Sequence, residues 1–142
     1  MIDSARFPYV GISSGYSPAS RLAYLPILLR YDMYSARTWG LLDTGSAVNV
    51  LSYTVGLQLG LVWEQQTTVV HLTGNLARLP ARAVILFGQV EPFPPVQLAF
   101  AWSQSEEVPI ILGQVNFFAE FDVCFYGSQS AFEIKPKSRQ TA

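Results

Sequence analysis

Asp43 closes an apolar run, Leu41-Leu42, and is followed at once by Thr44, Gly45 and Ser46. A carboxylate beside a glycine turn has two ordinary uses. It can accept a hydrogen bond from a nearby backbone N–H and shape an Asx turn, or it can act as a general acid or base. Chance alone gives Asp-Thr-Gly in roughly a few per cent of chains of this length, so the tripeptide decides nothing by itself. Its neighbours narrow the choice. Val48-Asn49-Val50-Leu51 resumes a strand pattern, and a second apolar segment, Ile110-Ile111-Leu112, runs into Gly113 further along.

Other reactive side chains are sparse. The single cysteine, Cys124, and single histidine, His71, cannot make a His/Cys zinc cluster, and one cysteine makes no internal disulfide. Neither a metal nor a cofactor is implied. Cys124 alternates within Phe121-Asp122-Val123-Cys124-Phe125 and reads as a small core residue. His71 has no placed thiol or carboxylate partner and reads as a surface or hydrogen-bonded histidine. Gly11-Ile12-Ser13-Ser14-Gly15 fits the letters of a nucleophile elbow, but no helix pattern follows it, so it reads as a Ser/Gly loop. Trp39, Trp63 and Trp102 fall in or next to strand segments and read as core.

Acidic and basic residues nearly cancel over the 142 residues, for a net charge of −1, which leaves no electrostatic footprint for nucleic acid. Half the residues are apolar and only 13% are charged, so the chain has enough apolar surface to fold. The same shortage of charge predicts apolar surface that another chain covers. No apolar run approaches the ~20 residues of a membrane helix. Residues 1–10 lack a basic-then-apolar export pattern, which makes the expected location cytoplasmic.

The elements that must position Asp43 are mostly strands. Residues 1–20, rich in Ser, Gly and Pro, read as a loosely held arm with one apolar stretch at 7–12. Residues 22–31 and 38–43 read as strands around a turn at 32–37, 48–51 as a strand, and 52–59 as one or two helical turns. Residues 65–72 and 76–87 predict a long β-hairpin linked by Thr73-Gly74-Asn75. The proline-interrupted segment 90–102 suits an edge strand. A polar loop at 103–107, a strand at 108–112, a brief helix at 115–121 and a closing hairpin from 121–126 and 131–134 complete the chain. The expected architecture is one mainly-β, barrel-like domain over residues 21–135, followed by a polar tail at 136–142.

Leu41-Leu42-Asp43-Thr44-Gly45-Ser46, the strand at Val48–Leu51, the intervening hairpin and Ile110-Ile111-Leu112-Gly113 together resemble the retropepsin-like aspartic proteases. The match runs from about Leu22 to Ile134. The resemblance implies a single-lobe closed β-barrel with a flap hairpin, active as a two-fold homodimer, and a peptide or protein substrate. It implies that Ile110, Ile111, Leu112 and Gly113 thread the active loop, with a short helix after that glycine. Asp43 becomes the catalytic carboxylate. Thr44 would bond across the two-fold axis, Gly45 would let the backbone approach substrate, and Ser46 would donate its hydroxyl to Asp43. The flap tip Thr73-Gly74-Asn75 would close over an extended peptide whose apolar side chains meet Leu41, Val50, Leu72, Pro109 and Ile111.

The chemistry explains why two chains are needed. Two carboxylates held a few ångströms apart share one proton, since like charges that close resist ionising together, and so supply a base and an acid at one pH. This chain has one Asp-Thr-Gly. Asp3, Asp32 and Asp122 lie outside any similar turn, so the second carboxylate must come from a second copy. The sequence departs from the retroviral pattern at three points. Ser46 replaces the usual Ala, predicting a more acidic optimum through its bond to the ionised carboxylate. Ala47 and Gln114 stand where an Asp and an Arg usually form an ion pair. The terminal strands normally interleave between subunits, and 7–12 and 131–134 are the candidates here. Two other readings remain: a catalytically silent dimer serving as a peptide-binding or assembly module, and a small-ligand β-barrel in which Asp43 is a turn residue.

Overall fold

The computed structural model describes residues 3–11 and 21–138. Ile12, Ser13, Ser14 and Gly15 of the Gly-x-Ser-x-Gly string, with the rest of the arm up to residue 20 and the end of the tail from 139, lie outside the described residues.

Among the described residues, nine strands and two short α-helices follow in the order β1 (Ala5–Pro8), β2 (Tyr24–Tyr31), β3 (Tyr34–Leu42), β4 (Asn49–Leu51), α1 (Tyr53–Gln58), β5 (Ala81–Gln89), β6 (Val96–Ser103), β7 (Ile110–Leu112), α2 (Phe117–Glu120), β8 (Phe121–Tyr126) and β9 (Ala131–Pro136). Six of them close a barrel in the order β2-β3-β7-β4-β6-β5, and β1-β9-β8 form a separate three-stranded sheet. The mainly-β barrel expected from the sequence is therefore present.

The barrel interior collects one face of each strand. Leu25, Ile27 and Leu29 alternate inward on β2, Val84 and Leu86 on β5, and Leu98, Phe100 and Trp102 on β6, as a period of two requires. Trp102 is fully buried, stacks on Tyr53 of α1 and meets Trp63 edge-on. Phe117 and Phe121 stack beside them and join the second sheet to the barrel core.

Several elements differ from expectation. The β2–β3 turn is tighter: Asp32 adopts φ 53° and the strand restarts at Tyr34 rather than after Arg37. The chain 90–102 is no edge. Its prolines are confined to the connection before β6, and β6 pairs along both sides, with β4 and β5. The long hairpin is absent, since no strand precedes β5 over residues 65–80. β6 occupies one side of β5 from Ala81 to Gly88, and β2 takes Phe87 to Gln89 on the other. On that second side Ala81 to Leu86 have no strand partner, and residues 68–70 meet only the start of this stretch, through one bridge from Val69 to Arg82. The rest of 66–80 packs on Val50, Ala101 and Ile111 through Val70, Leu72, Leu76 and Leu79 as a lid without strands, with a tight turn at Gly74–Leu76 where Gly74 takes φ +64°.

Cys124 is exposed on β8 rather than buried, because the alternation there places Phe121 and Val123 inward and Cys124 on the opposite face. Trp39 is 47% exposed on the outer face of β3, while Trp63 and Trp102 are core as expected. β1 pairs with β9 of its own chain, so the two candidate interface strands meet each other.

Candidate active site

β7 lies between β3 and β4, parallel to the first through Leu41–Ile111 and Leu42–Leu112, and antiparallel to the second through Val50–Ile111. This placement fixes Asp43. Its N–H donates to the Leu112 carbonyl at 3.0 Å, one residue beyond the end of β3. The chain then turns. Gly45 N–H donates to Asp43 Oδ1 at 2.9 Å and Ser46 N–H to the Asp43 carbonyl at 3.1 Å. The Asx turn is thus real, and it holds one carboxylate oxygen in place.

The segment after β7 threads this loop. Gln114 and Val115 N–H groups donate to the Ser46 and Ala47 carbonyls, both at 2.9 Å, and Asn49 N–H donates back to Val115. The crossing is so close that a Cβ on Gly113 would strike the Val48 carbonyl oxygen and lie 2.7 Å from that of Ser46. Glycine is required there by space rather than by φ. Gln114 reaches further: its Nε2 donates to the Thr44 carbonyl at 2.9 Å.

Beneath the loop sits a polar network that the sequence reading missed. Asn49 is fully buried. Its Oδ1 accepts from Gly113 N–H at 2.8 Å and its Nδ2 donates to the Ala99 carbonyl at 2.9 Å. Asn116 continues the network, its Oδ1 accepting from Ala99 N–H and its Nδ2 donating to the Gln97 carbonyl. The available signal was an amide between two valines in an otherwise apolar strand, since buried polar groups are almost always bonded.

Ser46 does not do what the sequence suggested. Its hydroxyl donates to the Val48 carbonyl at 2.7 Å and braces the loop, instead of donating to Asp43. Thr44, Gly45, Ala47 and Gln114 are exposed, and Val115 is 57% exposed, so the carboxylate loop presents an open rim. Asp32 lies in the β2–β3 turn and Asp122 on β8, and neither lines the cavity beside the Asp43 loop.

That cavity, about 60 Å³, lies between the loop and the lid and is lined by Ser46, Val50, Leu72 and Thr73 with Ala47, Val48, His71 and Leu76. Val50, Leu72 and Ile111 also pack together in a second apolar cluster with Ala101 and Val108. The structure thus brings together four of the expected substrate-contact residues: Val50, Leu72, Thr73 and Ile111. Gly74 and Asn75 are exposed on the lid, Pro109 is exposed at the start of β7, and Leu41 is half-buried. None of these four lines the cavity.

No family model matches this chain, and no curated protein matches it. Among solved structures, the chain is similar to a retropepsin-like aspartic protease from Rickettsia conorii, at 12% identity and a TM-score of 0.62, over 94% of this chain and 92% of that one. At that identity the likeness speaks for the fold, and the chain has a retropepsin-like fold.

Proposed function

We propose that the chain is one half of a homodimeric aspartic endopeptidase, in which the two copies' Asp43 carboxylates share a proton across a two-fold axis. The ionised carboxylate removes a proton from a water held between the pair, and the resulting oxygen attacks the peptide carbonyl. The protonated carboxylate gives its proton to the carbonyl oxygen. Collapse of the tetrahedral intermediate, with proton return to the amine, breaks the C–N bond. No metal or cofactor enters these steps.

One observation carries this reading. Asp43 is held at the end of a strand by a backbone bond to Leu112 and an Asx bond from Gly45, on a loop whose rim is open to solvent. Such a group is oriented, the chain has only one Asp-Thr-Gly, and a second copy would supply the second carboxylate. The likeness to a retropepsin-like protease supports the same assignment. The decisive experiment is digestion of a diverse peptide pool from about pH 3 to pH 7, the range that brackets carboxylate titration. Cleavage by the wild type that disappears in Asp43→Asn supports the reading. Equal cleavage by both, or a strict monomer under cleaving conditions, overturns it.

The narrowness of the cavity favours a second reading. A lid that leaves only about 60 Å³ beside the loop suits a dimer that holds peptide segments without turning them over. Absent cleavage together with a stable dimer that binds peptides would establish that alternative.

A further inference from the structure

The sequence predicts apolar pockets flanking the scissile bond, but the lid's own Leu72 occupies much of that space. It is buried against Val50, Ala101 and Ile111 in the second cluster. What remains beside the Asp43 loop is the small cavity, and its edge is not apolar throughout. Its lining residues include Ser46, Thr73 and His71, the one lining residue with an ionisable side chain. The Ser46 hydroxyl is already committed to the Val48 carbonyl. His71 sits between Val70 and Leu72, which both pack into the cluster, while it is itself exposed. An imidazole keeps an N–H donor in either protonation state.

Size and chemistry then act together. A space of about 10–15 Å³ in the same measure holds one water, so this cavity admits only a few heavy atoms. A phenylalanine or leucine side chain would have to displace Leu72, whereas a side chain of serine, asparagine or aspartate size would not. We infer that His71 is a specificity-determining residue: the subsite between lid and Asp43 loop takes a small side chain bearing a hydrogen-bond acceptor, aspartate foremost, and His71 donates to it. The inference rests on the peptide-cleaving or peptide-binding reading of the Asp43 site and names the substrate class of that site.

The test uses the full chain and a peptide library randomised on both sides of the scissile bond, cleaved by wild type, His71→Leu and His71→Gln. At one subsite the wild type should favour Asp, Asn or Ser over Leu and Phe by at least about tenfold, the scale of one well-made hydrogen bond. His71→Leu should erase that preference while still cleaving other peptides, and His71→Gln, which keeps a donor, should retain most of it. An unchanged profile in His71→Leu, or a wild-type preference for large apolar residues at every subsite, overturns the inference and leaves the protease reading intact. If no Asp43-dependent cleavage occurs, the protease reading fails separately. Fluorescence-polarisation binding of matched Asp- and Leu-containing peptides to wild type and His71→Leu then decides the point. Discrimination that vanishes with His71→Leu supports the subsite, and its absence from the wild type overturns it.

Discussion

The Gln114 side chain donates through Nε2 to the Thr44 carbonyl at 2.9 Å, so the segment that threads the carboxylate loop also holds the loop's outer rim. In the retroviral pattern that the sequence resembles, an ion pair stands near this position. Here a neutral amide bonds the backbone instead, and it needs no charged partner to be satisfied. With Ala47 in place of an aspartate, the rim carries less charge and leaves no orphaned ion.

Replacing Gln114 with alanine should therefore act on the loop more than on the fold. The bond is exposed, and its net worth to stability is about 1 kcal/mol or less. A urea titration should show little change in midpoint. Peptide turnover should fall on the order of tenfold, because Thr44 and Asp43 lose their brace. Lost stability of several kcal/mol would mean the side chain serves the core instead.

Gly113→Ala is the opposite case. The added methyl group would meet the backbone carbonyls of Ser46 and Val48, which cannot rotate away as a side chain can. Destabilisation of about 3 kcal/mol or more is expected, within the class of overpacked sites. Denaturant unfolding of the variant measures it, and a loss under 1 kcal/mol would show that the loop can shift.

These two residues show what was legible in the sequence. The two leucines before Asp43 and Ile110-Ile111-Leu112-Gly113 made the threaded loop legible only through the resemblance to retropepsin-like proteases, which implies such a crossing. The lid was misread. Residues 65–72 and 76–87 are rich in β-branched and apolar side chains, but strand propensity depends on context and does not decide which segments pair. β6 covers one side of β5 and β2 only the end of the other, and along the open stretch from Ala81 to Leu86 only Val69 to Arg82 forms a bridge. Asn49 was passed over because its partners, Ala99 and Gly113, are remote in sequence.

Asn49→Ala should be costly for the same reason. It would leave the Gly113 N–H without its buried acceptor and the Ala99 carbonyl without one of its donors. Each such group costs about 1–3 kcal/mol. A loss of about 2–4 kcal/mol by denaturant unfolding is the expected result, and a near-neutral change would mean that water replaces the amide.

Tyr126 provides a pH test remote from the site. Its phenol is pushed up to about 12 from the ordinary 10, first by the neighbouring Cys124 and then by Glu133, to which its hydroxyl donates at 3.2 Å. A folded value above the unfolded one favours the neutral phenol in the fold. Its contribution is complete below about pH 10 and is lost as pH rises toward 12. In an ultraviolet titration of tyrosinate, Cys124→Ala should move one of the seven tyrosines back toward 10. An identical titration in the variant would sink the assignment.

Ser46→Ala separates the sequence expectation from the structure. Were the hydroxyl donating to the Asp43 carboxylate, its loss would raise the carboxylate's pKa and shift the activity profile to higher pH. It donates instead to the Val48 carbonyl at 2.7 Å, a neutral bond within the same turn. Losing it should cost about 1 kcal/mol of stability and leave the pH at half-maximal cleavage where it was. Paired profiles of the two proteins, with urea midpoints, measure both quantities. An upward shift of the profile would mean that the hydroxyl turns toward Asp43 when the two copies assemble, and the loop would then rearrange on dimerisation rather than dock as it stands.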